Sequence, residues 1–184
     1  TMVRPTSGNI LVDGNDVVNQ KSSVKEAIGY MPQRFGLYQD LTVAENLDFF
    51  MDIYGISGAE RTRRRDYYLG FSNLLPFVDR KAGDLSGGMK QKLGLASALV
   101  TRPRVLLLDE PIGGLSPAEI EPLMELIRKI NRELNITVII IEHLMKVLKE
   151  LSHRLMILHY GEEIRTGPPA EVMEDEKVKE VYLG

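Results

Sequence analysis

The chain has 184 residues, 43% hydrophobic and 27% charged, with a formal net charge of −3. That is the length and balance of one globular domain with a sizeable core, and its mildly acidic total excludes a global field for nucleic acid or anionic lipid. It has no cysteine, which excludes disulfides and thiolate metal sites, and its three histidines lack zinc-site spacing.

Asn9 to Gly14 reads as a short strand closed by an Asp-Gly turn. Ala27 to Met31 reads as a second strand, stopped by Pro32. Thr42 opens a helix, with Glu45 three residues on completing a capping-box pattern, and Gly55 ends it. Glu60 to Leu75 forms another helical stretch, rich in arginine. Its run Arg61, Arg63, Arg64, Arg65 reads as a solvated face. Ser86 to Val100 is a helix entered through Gly87-Gly88 and stopped before Pro103. Val105 to Leu108 is fully apolar, as expected of a strand covered on both faces. Pro117 to Leu134 carries Ile120, Leu123, Ile127, Ile130 and Leu134 on one helical stripe. Thr137 to Ile141 reads as another buried strand, followed by a helix over Leu144 to Leu151. Arg154 to His159 and Glu163 to Thr166 flank a hairpin turn. Pro169 to Asp175 and Lys177 to Tyr182 read as short closing helices.

Apolar strands alternating with amphipathic helices predict an α/β fold with a mostly parallel sheet flanked by helices. The segment from about Thr42 to Leu85 interrupts the alternation and reads as an inserted helical subdomain. No apolar run nears the ~20 residues needed to cross a bilayer, and no basic-then-apolar leader opens the chain. A soluble protein, tied to any membrane through a partner, is therefore expected.

Two stretches carry chemistry. Val105 to Leu108 runs straight into Asp109-Glu110, and ligands of parallel sheets sit at the carboxyl ends of strands. An aspartate there suits Mg²⁺, which takes oxygen ligands. The neighbouring glutamate suits polarisation of an attacking water. Leu85-Ser86-Gly87-Gly88-Met89-Lys90 opens a helix with free N–H groups, and the positive end of the helix dipole favours phosphate oxygens. Taken singly, an acidic turn and a serine cap explain these stretches; together, in this order, they are far more specific.

With these motifs the chain closely resembles the ATP-binding-cassette (ABC) transporter ATPases. Leu85 to Lys90 is similar to the signature motif and Val105 to Glu110 to Walker B. Gly113 to Pro117 is similar to the D-loop, Tyr30 to Gln33 to the Q-loop, and Glu142-His143 to the switch histidine. The resemblance covers nearly the whole chain as one domain over 1–184, and it implies a P-loop NTPase-like fold with ATP and Mg²⁺ as cofactors. It implies Glu110 as catalytic base, His143 and Gln33 as γ-phosphate-sensing catalytic groups, and Asp109 with Gln33 at the metal. Ser86, Gly87 and Gly88 would grip, in trans, the ATP of a second subunit, with Ser116 at the dimer contact. The implied partners are a second nucleotide-binding domain, in a head-to-tail dimer closing on two ATPs, and transmembrane permease subunits. No nucleic acid is implied. The implied location is cytoplasmic, on the inner face of the membrane.

The front of the chain departs from the family pattern. No G-x-x-x-x-G-K-[ST] precedes Pro5 to Ile10, and Thr1 stands before Met2. The resulting expectation is a chain truncated before or through the Walker A loop, with its first strand-loop-helix absent and a gap in the sheet beside the Walker B strand. Such a chain would be inactive alone and marginally stable. Two rival readings follow: a non-enzymatic, degenerate partner lending only Ser86 and Gly88, and a soluble ABC ATPase. The front half looks like export cassettes. The back half, down to the closing Gly184, looks like branched-chain amino-acid import or lipopolysaccharide-export cassettes, so no transported substrate is expected in particular.

Overall fold

The computed structural model of the protein describes residues 4–33 and 36–183. The Thr1-Met2 opening and Gly184 lie outside the described residues. The chain divides into two compact units, Thr1–Ile141 and Glu142–Gly184.

The first unit begins with a small antiparallel hairpin, β1 (Leu11–Val12) and β2 (Asn15–Asp16). Its turn has Asp13 at φ 50° and Gly14 at φ 77°, the pair of positive angles that an Asp-Gly two-residue loop supplies. Helix α1 (Lys21–Ala27) follows, then strand β3 (Ile28–Met31). Helix α2 (Val43–Ile53) starts where expected: the Glu45 N–H donates to the Thr42 hydroxyl, and the Thr42 N–H donates to the Glu45 carboxylate. Helix α3 (Gly58–Phe71) and two short 3₁₀ turns lead to helix α4 (Gly87–Leu99), capped by Ser86. Strand β4 (Val105–Asp109), helix α5 (Pro117–Leu134) and strand β5 (Thr137–Ile141) complete the unit.

The sheet order is β3-β4-β5, all parallel. Helix α4 packs on β3 and α5 on β5. The first approach is close enough to require glycine: a Cβ on Gly29 would stand 2.6 Å from the carbonyl oxygen of Ala98. Leu106 and Leu108 of β4 are fully buried, as are Leu93, Leu95, Leu123 and Ile130 from the covering helices. Each such side chain contributes roughly 1.5–3 kcal/mol by leaving water.

Two expectations are corrected here. The sheet is not breached beside the Val105–Leu108 strand. That strand is matched residue for residue by Ile28–Met31 on one edge and by Thr137–Ile140 on the other. The unpaired backbone groups expected there, and the instability argued from them, lose their basis. Nor is Thr137–Ile141 a buried strand. Ile139 and Ile141 are about half exposed, because alternate side chains of β5 point to opposite faces and these two share an uncovered face of the sheet with the half-exposed Tyr30 of β3. Helix α1 and strand β2 are additions to the sequence reading.

The second unit opens with helix α6 (Met145–Leu151). Strands β6 (Leu155–His159) and β7 (Glu162–Gly167) then pair antiparallel through a turn at Tyr160-Gly161, and helices α7 (Pro169–Glu174) and α8 (Glu176–Leu183) follow. Its core gathers Leu148, Leu155, Ile157, Val172 and Val178. Among the described residues, no helix is long and apolar enough to cross a membrane.

Candidate active site

The carboxyl end of β4 delivers Asp109 and then Glu110. The backbone turns sharply between them: Glu110 has φ 46°, a left-handed conformation that costs a non-glycine residue on the order of 1–2 kcal/mol. Backbone bonds fix the turn. The Glu110 N–H donates to the Ile141 carbonyl at 2.9 Å, and the Gly113 N–H donates to the Glu110 carbonyl at 3.1 Å. The turn aims the two adjacent carboxylates differently and gives each its own partner from the end of β3.

Glu110 accepts a hydrogen bond from Gln33 Nε2 at 2.6 Å. Gln33 reaches it because Pro32 ends β3 one residue earlier, level with the end of β4. Asp109 accepts a longer contact from the Tyr30 hydroxyl, at 3.4 Å. Desolvation and the Asp109 charge both push the Tyr30 pKa up, so the phenol remains a donor to that carboxylate at neutral pH. The Asp109 carboxylate and the Gln33 side-chain amide supply hard oxygen atoms, the type Mg²⁺ takes. Among the described residues no three His, Asp or Glu side chains form a ready-made metal cluster. The fit to Mg²⁺ rests on the type of the Asp109 and Gln33 donors alone, since Mg²⁺ takes oxygen ligands from one or two protein groups and completes its shell with water and substrate phosphates.

Behind Gln33 the chain is pinned to α2 by a buried asparagine. Asn46 Oδ1 accepts from the Tyr38 N–H at 2.8 Å, and its amide nitrogen reaches the carbonyls of Tyr38, Leu41 and Thr42. Asn46 is fully buried, and these bonds satisfy it. They tie the segment that follows the site to the helical region.

The second constellation sits at the start of α4. The Ser86 hydroxyl accepts from the Met89 N–H at 3.3 Å, a serine cap. The Gly88 N–H donates to Glu119 Oε1 of α5 at 2.9 Å. Glu119 Oε2 accepts from the Ser116 N–H at 3.1 Å and from the Ser116 hydroxyl at 2.7 Å. Both glycines are closely approached: a Cβ on Gly88 would lie 3.1 Å from Glu119 Oε1, so the Glu119 side chain would have to shift by a few tenths of an ångström, and a Cβ on Gly87 would lie 3.3 Å from Leu115 Cδ2. Hydrogen bonds from Gly88 first, then from the Ser116 and Ser86 hydroxyls, hold the Glu119 pKa down to about 2.

The structure thus brings together Gln33 with Glu110, Tyr30 with Asp109, and Ser86, Gly88 and Ser116 around Glu119. His143 stands at the head of the second unit, two-thirds exposed, its N–H donating to Glu142 Oε2 at 3.3 Å. The sequence reading missed the parts played by Tyr30, Asn46 and Glu119. Only the last had a signal, since Ser116-Pro117-Ala118-Glu119 is itself an S-x-x-E capping pattern.

A family model described as "ABC transporter" matches residues 1–113, and one described as "Branched-chain amino acid ATP-binding cassette transporter" matches residues 166–184. The methionine import ATP-binding protein MetN of Corynebacterium diphtheriae is 36% identical over 172 residues, 91% of this chain and 51% of that protein. The chain therefore spans about half the length of that curated relative. The structure of cbiO1 from Clostridium perfringens, part of the ABC transporter complex cbiONQ, is matched with a TM-score of 0.85 at 28% identity, over 99% of this chain and 74% of that one. The dimeric, post-hydrolysis ATP-binding cassette MJ0796, bound to ADP and Pi, is matched at 0.74 and 28% identity, over 91% and 75%. The first match overturns the expectation of a chain truncated before or through the Walker A loop, with its first strand-loop-helix absent. It begins at residue 1, so the N-terminal residues fall within the matched family region. The reading of the fold and function as those of a truncated fragment is withdrawn. From the motifs, the fold and the extent of the match, the chain belongs to the ABC transporter family.

Proposed function

We propose that this chain is an ATP-hydrolysing subunit of an ABC transporter, with its catalytic carboxylates at the end of β4. The observation that carries this reading is the pairing at that strand end. Glu110 is held by Gln33 at 2.6 Å on a strained, doubly anchored turn, while the adjacent Asp109 takes a different partner. Phosphoryl transfer needs charge neutralised and water aligned more than covalent help. Asp109 and Gln33 would hold Mg²⁺, which when bound neutralises charge on the phosphate oxygens. Glu110 accepts the proton of the attacking water. Gln33 keeps that carboxylate oriented and, through the Asn46-anchored segment, links it to the helical region over residues 42–85. His143 contacts the γ-phosphate and aligns the water.

Ser86, Gly87 and Gly88 act in trans on the nucleotide of a second nucleotide-binding domain, with Ser116 at the contact between the two. The dimeric form of MJ0796 with ADP and Pi supports this part. Hydrolysis then depends on dimer closure, and permease subunits on the inner face of the membrane would turn closure into transport. The transported substrate stays unassigned, since the similar proteins named above differ in theirs.

The test is phosphate release from Mg-ATP by the full chain and by Glu110→Gln. Loss of a positioned general base is expected to lower the rate roughly 10²–10⁴-fold. A variant as fast as wild type, or a wild-type chain with no ATP-dependent phosphate release, would sink the proposal.

A further inference from the structure

The donors assigned above to a partner's phosphate are already engaged. The Gly88 N–H donates to Glu119 Oε1 at 2.9 Å, and the Ser86 hydroxyl also hydrogen-bonds this carboxylate. Its other oxygen is held by the N–H and hydroxyl of Ser116. A carboxylate and a phosphate present the same oxyanion edge to a helix N-terminus, so the two compete for one place. Glycine at position 88 lets the carboxylate approach, since a Cβ would lie 3.1 Å from Glu119 Oε1 and 3.2 Å from its Cγ.

Resting on the proposed function, we propose that Glu119 is an internal stand-in for phosphate, occupying Ser86 and Gly88 in the free chain and yielding them when a partner's nucleotide docks. Glu119 is then a positioning residue. It keeps the donors of α4 and the loop before α5 in the geometry of an occupied anion site, and it sets the nucleotide concentration at which the dimer closes. Its ionised form, favoured by the donors around it with a pKa of about 2, is the form that competes.

The experiment compares the wild-type full chain with Glu119→Gln. Glutamine keeps the capping-box role at this helix position but carries no charge to oppose a phosphate. Dimer formation is followed by sedimentation as Mg-ATP is titrated, and the Gly88 amide proton is followed by NMR without nucleotide. The midpoint for dimerisation is expected to fall roughly tenfold in the variant, the scale separating charge-assisted from neutral hydrogen bonds. The Gly88 amide proton is expected to move upfield as its acceptor loses charge. An unchanged Gly88 resonance overturns the contact itself. An unchanged or raised midpoint with a normal melting temperature makes Glu119 a structural cap only and overturns the proposal while leaving the ATPase reading intact. If wild type neither dimerises on Mg-ATP nor hydrolyses it, both readings fall together. Should Glu119→Gln fold poorly, Glu119→Asp withdraws the carboxylate by one methylene and is held to the same midpoint criterion.

Discussion

Glu110 and Glu119 lie in the same unit, one just past strand β4 and the other in the first turn of helix α5, yet they are built into it in opposite ways. Glu110 sits on a backbone bent to φ 46° and meets the side-chain amide of Gln33. Glu119 sits in regular helix and is ringed by the donors of Gly88, Ser116 and Ser86. The first carboxylate is held in an unfavourable backbone geometry that helix propensity or capping would not select. The second is held where local capping energetics already favour it. Strain that local structure does not require points to use, whereas a satisfied carboxylate at a helix start is first a structural device. Any further role for Glu119 rests on which donors it occupies.

The largest expected contrast comes from neutralising each glutamate in turn. Glu110→Gln should cut phosphate release by two orders of magnitude or more. Glu119→Gln should leave the rate at saturating Mg-ATP intact and shift only the nucleotide concentration needed. Equal losses in both variants, read from kcat and KM, would erase the distinction. A smaller effect is expected from Gln33→Ala. It frees Glu110 from its 2.6 Å partner, and kcat should fall about tenfold, the scale of one charge-assisted hydrogen bond. Because Gln33 is exposed, its melting temperature should match wild type. Ser116→Ala removes a hydroxyl bonded at 2.7 Å to Glu119. Urea unfolding should show a loss of about 1 kcal/mol, as for other caps. The smallest and slowest effect is on acid stability. Glu119 has its pKa lowered from 4.5 to about 2, so its stabilisation is full above its unfolded pKa and fades as pH falls towards 2. The stability gap between wild type and Glu119→Gln should therefore close between pH 4.5 and 2. A gap constant across that window would mean that the carboxylate is not held as described.

Much of the local structure was legible. The Thr42–Glu45 capping box marks the start of α2, and Pro117 to Leu134 emerges as helix α5 with the expected bounds. The Asp13-Gly14 turn also forms. Helix α1 was not legible, because Lys21-Ser22-Ser23-Val24-Lys25-Glu26-Ala27 carries neither a strong cap nor an apolar stripe. Its N-cap residue Gln20 accepts the first helical bond from the Val24 N–H and is itself tied to the preceding hairpin, its N–H donating to the Asp16 carbonyl. Strand β5 misled in a different way. Val138 to Ile141 is as apolar as β4, but an apolar run reports only affinity for cover. Which face of a strand receives a helix is fixed by packing between elements distant in sequence, and the face of β5 that carries Ile139 and Ile141 receives little cover.

The sequence by itself determined the element types other than α1 and β2, the caps of α2 and α4, the motif residues at 30–33, 85–90 and 105–110, and the family, because each is written in spacings of a few residues. Tertiary structure alone decided that Gln33 meets Glu110, that Tyr30 meets Asp109, and that Glu119 rather than solvent holds Gly88. Those partners lie 77, 79 and 31 residues apart. No local pattern encodes such pairings; they follow from the parallel register of β3 on β4 and from α4 packed against α5.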